Sequence, residues 1–360
     1  MRANRILRTF DWPLAVASLL LMAASAVTMV SASSKVNPDL AVRQARWILI
    51  GLVALLGIIR LGYRRWTDLA PAIYVAGFFL LALVPLAGAM RLGATRWLSL
   101  FGLSLQPSEI MKLATVCLLA RYLAGRPDPL PTRTVAGSLA IAGVPALLIF
   151  LQPDLGSATI FAAIWLGMAW AAGMSKKVLW AMAGAMMVIL PLGWHVLRDY
   201  QRDRLLVFLN PHIDPLGAGY TIIQSTIAIG SGQIFGRGWL SGTQNQLSFL
   251  PERHSDFIYS VVGEEWGLVG SFGIIVLFVI LLSRALRIAA TSPDPQGRLL
   301  AVGLCCWIGY QAFVNMGMVM GLLPVVGVPL PLMSYGGTSM VFLCSALGLL
   351  QSVHHASLEG

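Results

Sequence analysis

The sequence has little charge, few histidines and few cysteines. Charged residues make up 11% of the 360 residues, and there are only 5 His and 4 Cys. Ordinary soluble domains are about 25% charged, so this composition excludes that class. The four cysteines, Cys117, Cys305, Cys306 and Cys344, all lie in apolar stretches. The sequence therefore predicts buried thiols and offers no disulfide framework.

Apolar residues are abundant instead: 57% of the chain is hydrophobic, and the mean hydropathy is +0.77. A bilayer core of about 30 Å requires about 20 helical residues, and irregular backbone cannot face lipid. Ten apolar stretches fit this requirement: 12–30, 47–61, 69–86, 110–123, 135–151, 155–174, 178–196, 257–282, 299–322 and 333–353. We expect an all-α integral membrane protein, residues 1–360 forming one polytopic domain with about ten transmembrane helices and an uncleaved first span.

The orientation follows from basic residues in the short connections, which concentrate on the cytoplasmic side. With the N-terminus inside, fourteen basic residues are cytoplasmic: Arg2, Arg5, Arg8, Arg60, Arg64, Arg65, Arg121, Arg126, Arg133, Lys176, Lys177, Arg284, Arg287 and Arg298. Only five lie in short outer segments: Lys35, Arg43, Arg46, Arg91 and Arg96. Both termini are thus predicted to be cytoplasmic. The net charge of +10 then faces anionic membrane lipids, and no nucleic-acid partner is expected.

One connection is long: residues of about 197–256, between the seventh and eighth stretches, are predicted to form an extracytoplasmic loop. Long loops in compact proteins are usually functional. From Pro215 to Pro251 the only charged residue is Arg237. This composition predicts a segment that lies on or dips into the membrane. For 220–229 itself we favour a structural lid packed over the helices.

Three helices that enter the membrane from outside begin with an acidic residue, namely Glu109, Asp154 and Asp256. Helix capping is the simplest interpretation of each, and for Asp154 capping and a functional role both stay open. Glu109 differs because Lys112 follows on the same helical face. A charge pair at membrane depth is costly, which indicates a functional or a tightly structural role.

Asp256 lies in the densest group of ionisable residues, after Glu252, Arg253 and His254 and before the pair 264–265. Ionisable groups gathered at the membrane boundary indicate a functional site. The glutamates at 264–265 fit either a structural polar cluster or a catalytic role. Since no second histidine stands at ligand spacing, we expect no dedicated zinc site.

The last outer connection ends in a glycine-rich turn that bears hydroxyl groups. Ser334, Gly336 and Gly337 stand directly before the tenth apolar stretch becomes a helix. Such turns can cradle phosphate at a helix start. The alternative is a turn braced by proline that holds no ligand.

Five segments together resemble the SEDS family (shape, elongation, division and sporulation), and the resemblance covers nearly the whole chain. They are residues 106–109 (QPSE), 152–156 (QPDLG), 249–258 (FLPERHSDFI), 263–265 (GEE) and 329–337 (PLPLMSYGG). Within that family the segments 214–220, 229–232 and 242–244 are more similar to the elongation branch, RodA, than to the division branch, FtsW. Two departures are small: Ser255 replaces the usual threonine, and Trp266 the usual leucine.

The resemblance implies a ten-span peptidoglycan glycosyltransferase of the bacterial cytoplasmic membrane. It would polymerise lipid II on the outer face during elongation, giving β-1,4-linked glycan with inversion at the MurNAc anomeric carbon. The family's essential aspartate falls on Asp256, either as general base or as a ligand that holds Mg²⁺ or Mn²⁺ against the diphosphate. Glu109 and Lys112 correspond to a functional ion pair in a central cavity. No organic cofactor is implied.

The same resemblance suggests substrate or diphosphate contacts for a wider set: Asp154, Arg202, Arg204, Arg237, Arg253, His254, Ser334, Gly336 and Gly337. It implies a class B penicillin-binding protein as transpeptidase partner. Two other functions stay open from the residues alone. One is a lipid II flippase, and the other is a non-catalytic scaffold for the transpeptidase.

Overall fold

Each of the ten apolar stretches coincides with an α-helix. The computed structural model describes residues 10–35, 37–91, 94–100, 103–196, 199–215, 217 and 219–359, so Arg2, Arg5 and Arg8 lie outside the described residues. The ten helices are α1 (Trp12–Ser33), α2 (Asp39–Leu61), α3 (Tyr63–Ala87), α4 (Pro107–Leu123), α5 (Thr132–Leu151), α6 (Leu155–Ala171), α7 (Lys176–Val196), α11 (Ile258–Thr291), α12 (Pro295–Val319) and α13 (Gly337–Glu359).

The fold is that of an all-α membrane protein. Among the described residues seven helices are long and apolar enough to cross a bilayer, and α6 is a shorter apolar helix. Large apolar side chains on their outer faces, such as Leu49, Val53, Phe79 and Phe272, are exposed as lipid contact requires. The count of ten spans stays a prediction, because α4 and α6 have only 17 residues each.

Aspartate caps begin three of these helices. The side chain of Asp11 accepts a hydrogen bond from the Leu14 backbone N–H at 3.0 Å. Asp154 accepts one from the Ser157 N–H at 3.2 Å, and Asp294 caps α12 in the same way. Each such cap contributes about 1 kcal/mol. The cap predicted for Asp154 is therefore present, and a functional role beside it stays a prediction.

A small antiparallel sheet, which the sequence did not predict, lies between α3 and α4. It consists of β1 (Ala89–Arg91), β2 (Ala94–Leu100) and β3 (Leu103–Leu105), in the order β1-β2-β3. Leu98 pairs with Leu105, and Ser99 with Ser104. The sequence predicts only a short outer connection here, because the strands are too short for a period-two pattern to stand out.

Half of the long loop is helical. It contains α8 (Asp199–Leu209), a 3₁₀ turn (Pro211–Ile213), α9 (Tyr220–Ser231) and α10 (Thr243–Gln246). Helix α9 packs against α11 and α12, where Ser225 Oγ lies 2.8 Å from Ser260 Oγ and donates to the Val319 carbonyl at 2.5 Å. This packing supports the structural lid. Contact of the loop with lipid stays a prediction.

Helix α11 is broken at Gly267, whose φ of +67° lies outside the helical region. The predicted span over 257–282 coincides with this helix, but the break inside it was not predicted. Residues 233–238 pair with the backbone on both sides of the break, through N–H donors at Arg237 (to Glu264 O, 3.0 Å), Gly238 (to Glu265 O, 3.1 Å), Leu268 (to Gln233 O, 2.8 Å) and Val269 (to Ile234 O, 3.1 Å). These bonds satisfy the groups that the break frees. The glutamates at 264–265 consequently lie before the break, against the loop.

Helices α4, α6 and α12 pack against one another, and α11 packs against α12. The irregular segment 320–336 connects α12 to α13. Because the start of α11 and the N-terminal end of α6 both touch this segment, it lies where the predicted site residues meet.

Candidate functional site

Asp256 lies half-buried directly before α11, and the backbone around it is firmly held. Three consecutive carbonyls, those of residues 254–256, each accept a hydrogen bond from the connection after α12 or from α12 itself. The donors are Tyr335 N–H to His254 O (2.8 Å), Ser334 Oγ to Ser255 O (2.6 Å) and Asn315 Nδ2 to Asp256 O (2.8 Å). This anchoring fixes the position from which the Asp256 side chain projects.

The carboxylate of Asp256 faces Gly327. A Cβ atom added to Gly327 would lie 3.3 Å from Asp256 Oδ2, and its φ of +69° favours glycine. On α6, a Cβ at Gly156 would meet the Val328 side chain at 2.5 Å and the Val326 carbonyl at 2.7 Å. Residues 326–328 thus run between Asp256 and the first turn of α6, and both approaches require glycine.

A cation stands at the same turn of α6. Arg96, on β2, lies 3.8 Å from Asp154 Oδ1 through its Nη1 and donates a hydrogen bond to the Pro153 carbonyl. From the sequence, Arg96 is only one of the outer basic residues. Nothing local marks it, because its partner is far along the chain and the strand that carries it was not predicted.

Glu109 and Lys112 form a buried ion pair on α4. Lys112 Nζ lies 2.7 Å from Glu109 Oε1, and each residue is 1% exposed. Lys112 Nζ also donates to Gln311 Oε1 at 3.4 Å and lies 5.2 Å from the centre of the Trp307 ring. The predicted pairing is confirmed, while its role in the reaction stays a prediction.

Two amide side chains of α12 connect this ion pair to the segment beside Asp256. Gln311 donates through Nε2 to the Pro329 carbonyl at 2.9 Å, and Asn315 donates through Nδ2 to the Val328 carbonyl at 2.6 Å. Both residues are fully buried. Neither residue was predicted from the sequence, although amides spaced four residues apart in an apolar helix are a recognisable signal.

Arg253 is buried between the loop and α1, and its predicted contact with a diphosphate stays a prediction. It is only 4% exposed, and its guanidinium donates to the Ala32 carbonyl at 2.8 Å and to the Asn245 carbonyl. Burial lowers the pKa of Arg253. These contacts tie the loop to the end of α1, which favours a structural role.

The two glutamates left unassigned also have structural contacts. Glu264 accepts from the backbone N–H groups of Gln244 (2.8 Å) and Asn245 (3.1 Å), at the first turn of α10. Glu265 accepts from Ser31 Oγ and from Asn245 Nδ2, the latter at 3.1 Å. Of the two interpretations of these glutamates, a structural polar cluster or a catalytic role, these contacts favour the structural cluster.

His254 lies beside Glu252, with 3.8 Å between Nε2 and Oε2, and its ring meets the Tyr335 ring edge-on. Burial lowers the pKa of His254, the nearby Glu252 opposes this shift, and Arg253 adds to it. With a pKa below its usual value of about 6.5, the imidazole is mainly neutral at pH 7. It therefore contributes little positive charge toward a diphosphate.

The glycine-rich turn is closely packed. Ser334 Oγ accepts from the Leu330 N–H at 2.7 Å besides its bond to Ser255, and a Cβ at Gly337 would lie 2.2 Å from the Trp47 ring. These contacts favour the braced turn, although Gly336 has room beside it. Phosphate binding here stays a prediction.

The remaining predicted contacts lie on the loop. Arg202 is half-buried on α8, and exposed Arg237 donates to Thr243 Oγ1 at 3.1 Å and to the Ser231 carbonyl at 3.3 Å. The side chain of Arg204 lies outside the described part of the chain. Their contact with substrate stays a prediction.

Two cavities lie at the end of the helix bundle that is remote from Asp256. One of about 290 Å³ is lined by Arg126, Asp128 and Arg298, among others, and one of about 300 Å³ by Asp11 and Arg284. Neither is lined by Asp256 or by the ion pair of α4. The predicted site residues therefore lie at the N-terminal end of α4, away from both cavities.

Comparison with known proteins identifies relatives along nearly the whole chain. The family model of FtsW, RodA and SpoVE, described as cell cycle protein, matches residues 6–359. The peptidoglycan glycosyltransferase MrdB of Escherichia coli K12 is 41% identical over 337 residues, which cover 93% of this chain and 91% of that protein. The probable peptidoglycan glycosyltransferase FtsW of Geobacter metallireducens is 36% identical over 86% of this chain and 84% of its own length.

Solved structures give the same result. A chain from a peptidoglycan synthase complex that coordinates polymerization and crosslinking superposes with a TM-score of 0.82 at 35% identity, covering 98% of this chain and 99% of its own. The rod shape determining protein RodA of Thermus thermophilus superposes with a TM-score of 0.70 at 30% identity, over 96% of each chain.

Proposed function

This chain belongs to the FtsW, RodA and SpoVE family and is a peptidoglycan glycosyltransferase, and we propose that Asp256 is the group that carries its reaction. The substrate is lipid II, whose disaccharide is attached to a lipid through a diphosphate. The enzyme works with a class B penicillin-binding protein, which cross-links the glycan. The flippase and scaffold alternatives have no support from these relatives.

In the proposed step, the C4 hydroxyl of one GlcNAc attacks the anomeric carbon of a MurNAc. A new C–O bond forms, the bond from the anomeric carbon to the diphosphate oxygen breaks, and the diphosphate leaves with the electron pair. The hydroxyl proton passes to the Asp256 carboxylate. Since attack and departure occur on opposite faces, the configuration inverts and a β-1,4 linkage results. Diphosphate needs little acid help as a leaving group once its charge is stabilised.

The observation that carries this proposal is the anchoring of residues 254–256. A general base must be held within hydrogen-bonding reach of the proton that it removes, and small displacements are costly. The three hydrogen bonds to these carbonyls, together with the close approach of Gly327, hold Asp256 while leaving it only half-buried. Arg96 on the other side of 326–328 is an additional cationic candidate near the diphosphate.

A divalent cation, Mg²⁺ or Mn²⁺, fits this site only with help from the substrate. Among the described residues there is no group of three or more His, Cys, Asp or Glu that could hold a metal ion. Mg²⁺ is commonly bound by one or two carboxylates together with substrate phosphates. In the alternative to the base role, Asp256 would be the protein ligand of this ion, and the ion would neutralise charge on the departing diphosphate.

The protein lies in the inner membrane as a multi-pass chain. We propose that Asp256 lies on the extracytoplasmic side and that both termini are cytoplasmic. The reason is that most basic residues of the short connections lie on the side of the membrane away from Asp256, and such residues concentrate on the cytoplasmic side. This arrangement gives a lipid-anchored substrate access from the bilayer, with no need to extract its tail.

The test is glycan synthesis from fluorescent lipid II by the purified protein with its transpeptidase partner. Asp256→Asn keeps the size of the side chain but removes the base, and we expect glycan synthesis to fall at least about 100-fold. Asp39→Asn, at an exposed acidic helix start, is the matched control and should keep full activity. Normal glycan synthesis by Asp256→Asn would overturn the assignment.

A further inference from the structure

The buried ion pair of α4 and the aspartate before α11 are joined by two sets of hydrogen bonds that meet at the covalent link between Val328 and Pro329. Lys112 donates to the Gln311 amide, which donates to the Pro329 carbonyl. Asn315 donates to the adjacent Val328 carbonyl and to the Asp256 carbonyl. Each of the three side chains in this connection is at most 1% exposed. Solvent therefore offers them no alternative partners.

The orientation of the Gln311 amide is dictated by its neighbours. Lys112 can only donate hydrogen bonds, and so can the indole N–H of Trp307, which lies 2.9 Å from Gln311 Oε1. Both donors require the amide oxygen on their side, so Nε2 must point to Pro329. The Pro329 carbonyl lies in irregular backbone, where regular secondary structure supplies no donor, so it needs a side-chain donor such as Gln311.

Asn315 uses both hydrogens of its amide on backbone carbonyls, one on each side of the site. Nδ2 lies 2.6 Å from Val328 O and 2.8 Å from Asp256 O. Its Oδ1 is buried and has no hydrogen-bond partner among the described residues. An amide that holds two carbonyls while its own oxygen stays unsatisfied is costly, and this cost favours a positioning role for Asn315.

We propose that Gln311 and Asn315 are positioning residues, through which the Glu109–Lys112 ion pair holds segment 327–330 against Asp256. The ion pair then acts on catalysis indirectly, by fixing the amide of Gln311. This inference rests on the proposed role of Asp256. It assigns to Gln311 and Asn315 no contact with substrate.

The experiment combines activity with hydrogen–deuterium exchange of the purified full-length protein. Gln311→Met and Asn315→Leu remove the donors at similar size, whereas Gln311→Glu keeps an acceptor for Lys112 but loses the donor to Pro329. We expect kcat to fall about 10- to 100-fold with little change in KM, as for a misplacement of about 1 Å. Amide exchange of peptides that cover 327–335 and 254–257 should accelerate in all three variants.

The matched control is Gln351→Met. Gln351 is an equally buried amide, on α13, and its side chain exchanges hydrogen bonds with the Asp11 backbone at 2.9 Å, far from this network. It should leave kcat and the exchange of 327–335 unchanged. Because exchange does not depend on turnover, it judges the connection even if the proposed role of Asp256 fails.

Each result decides the question. Faster exchange together with a lower kcat in the α12 variants supports the proposal. Unchanged exchange of 327–335 in Gln311→Met overturns the connection, and faster exchange with unchanged kcat overturns its role in positioning Asp256. An equal loss of kcat in Gln351→Met also overturns it, since the effect would then be general to buried amides.

Discussion

Gly327 and Asp256 are in direct apposition: a Cβ atom on Gly327 would lie 3.3 Å from Asp256 Oδ2. The turn at 326–328 is therefore part of the site and not merely a link between α12 and α13. Its position is set on one side by the aspartate and on the other by the first turn of α6. Substitutions in this turn should displace the Asp256 carboxylate without altering its chemical group.

Gly327→Ala tests this relationship. The new methyl group would press on the Asp256 carboxylate, and a φ of +69° costs a non-glycine residue about 1–2 kcal/mol. We expect glycan synthesis to fall about 10-fold or more. Gly125→Ala is the control, because Gly125 has a φ of +70° and open space around it. It should show the backbone cost in thermal unfolding but retain activity, and equal activity of the two variants would contradict the role of Gly327.

Lys112→Met should destabilise the protein strongly. It leaves the Glu109 carboxylate buried without its cation, which costs about 3–5 kcal/mol. The double variant Glu109→Gln, Lys112→Met removes both charges and should recover much of this loss. Lys177→Met, at an exposed position on α7, should change stability by less than about 0.5 kcal/mol. Thermal unfolding in detergent measures all three, and an unaffected Lys112→Met would show that the pair is not tightly coupled.

Gly267→Ala should disrupt the broken part of α11. A Cβ there would lie 2.3 Å from the Gly236 backbone nitrogen, so segment 233–238 would have to move. We expect a large fall in the unfolding temperature and faster amide exchange at 233–238. Gly273→Ala lies further along the same helix with nothing near its Cβ. That control should be neutral or stabilising by about 0.5–1 kcal/mol, since alanine favours helix.

His254 should make the folded protein less stable in mild acid. Burial lowers the pKa of His254 in the folded state, so below its usual value of about 6.5 the unfolded chain takes up a proton first. The free energy of unfolding should thus fall as the pH drops through about 6.5. His254→Asn should reduce the difference in unfolding temperature between pH 7.5 and 5.5. An identical pH dependence in the variant would contradict this assignment.

Much of the fold could be predicted because its signals are local. Apolar runs located helices α1–α7 and α11–α13, and prolines and acidic residues marked where α4 and α6 begin. The break at Gly267 could not be predicted, since a glycine in an apolar stretch is equally compatible with a continuous helix. It becomes a break only because residues 233–238 supply the missing hydrogen bonds. The sheet before α4 was missed because it is short and carries no strong alternation.

The candidate site divides in the same way. The sequence and its family resemblance identified Asp256, Glu109 and Lys112 as the residues to examine. Only the tertiary structure shows that Arg253 is buried in a structural contact and that Arg96 lies beside Asp154. It also shows that Gln311 and Asn315 hold the backbone around Asp256.

The amino-acid sequence by itself determined that this chain is a helical membrane protein and which of its helices begin with an acidic residue. Hydrophobic length and helix-start chemistry depend on neighbours within a few residues. The tertiary structure alone decided how Asp256 is held, because its partner Asn315 is 59 residues away and Lys112 is 199 residues from Gln311. In a low-dielectric interior a buried polar group must pair with a partner that the packing brings near. The packing of helices depends on several segments that are far apart in the sequence, so no single segment predicts it.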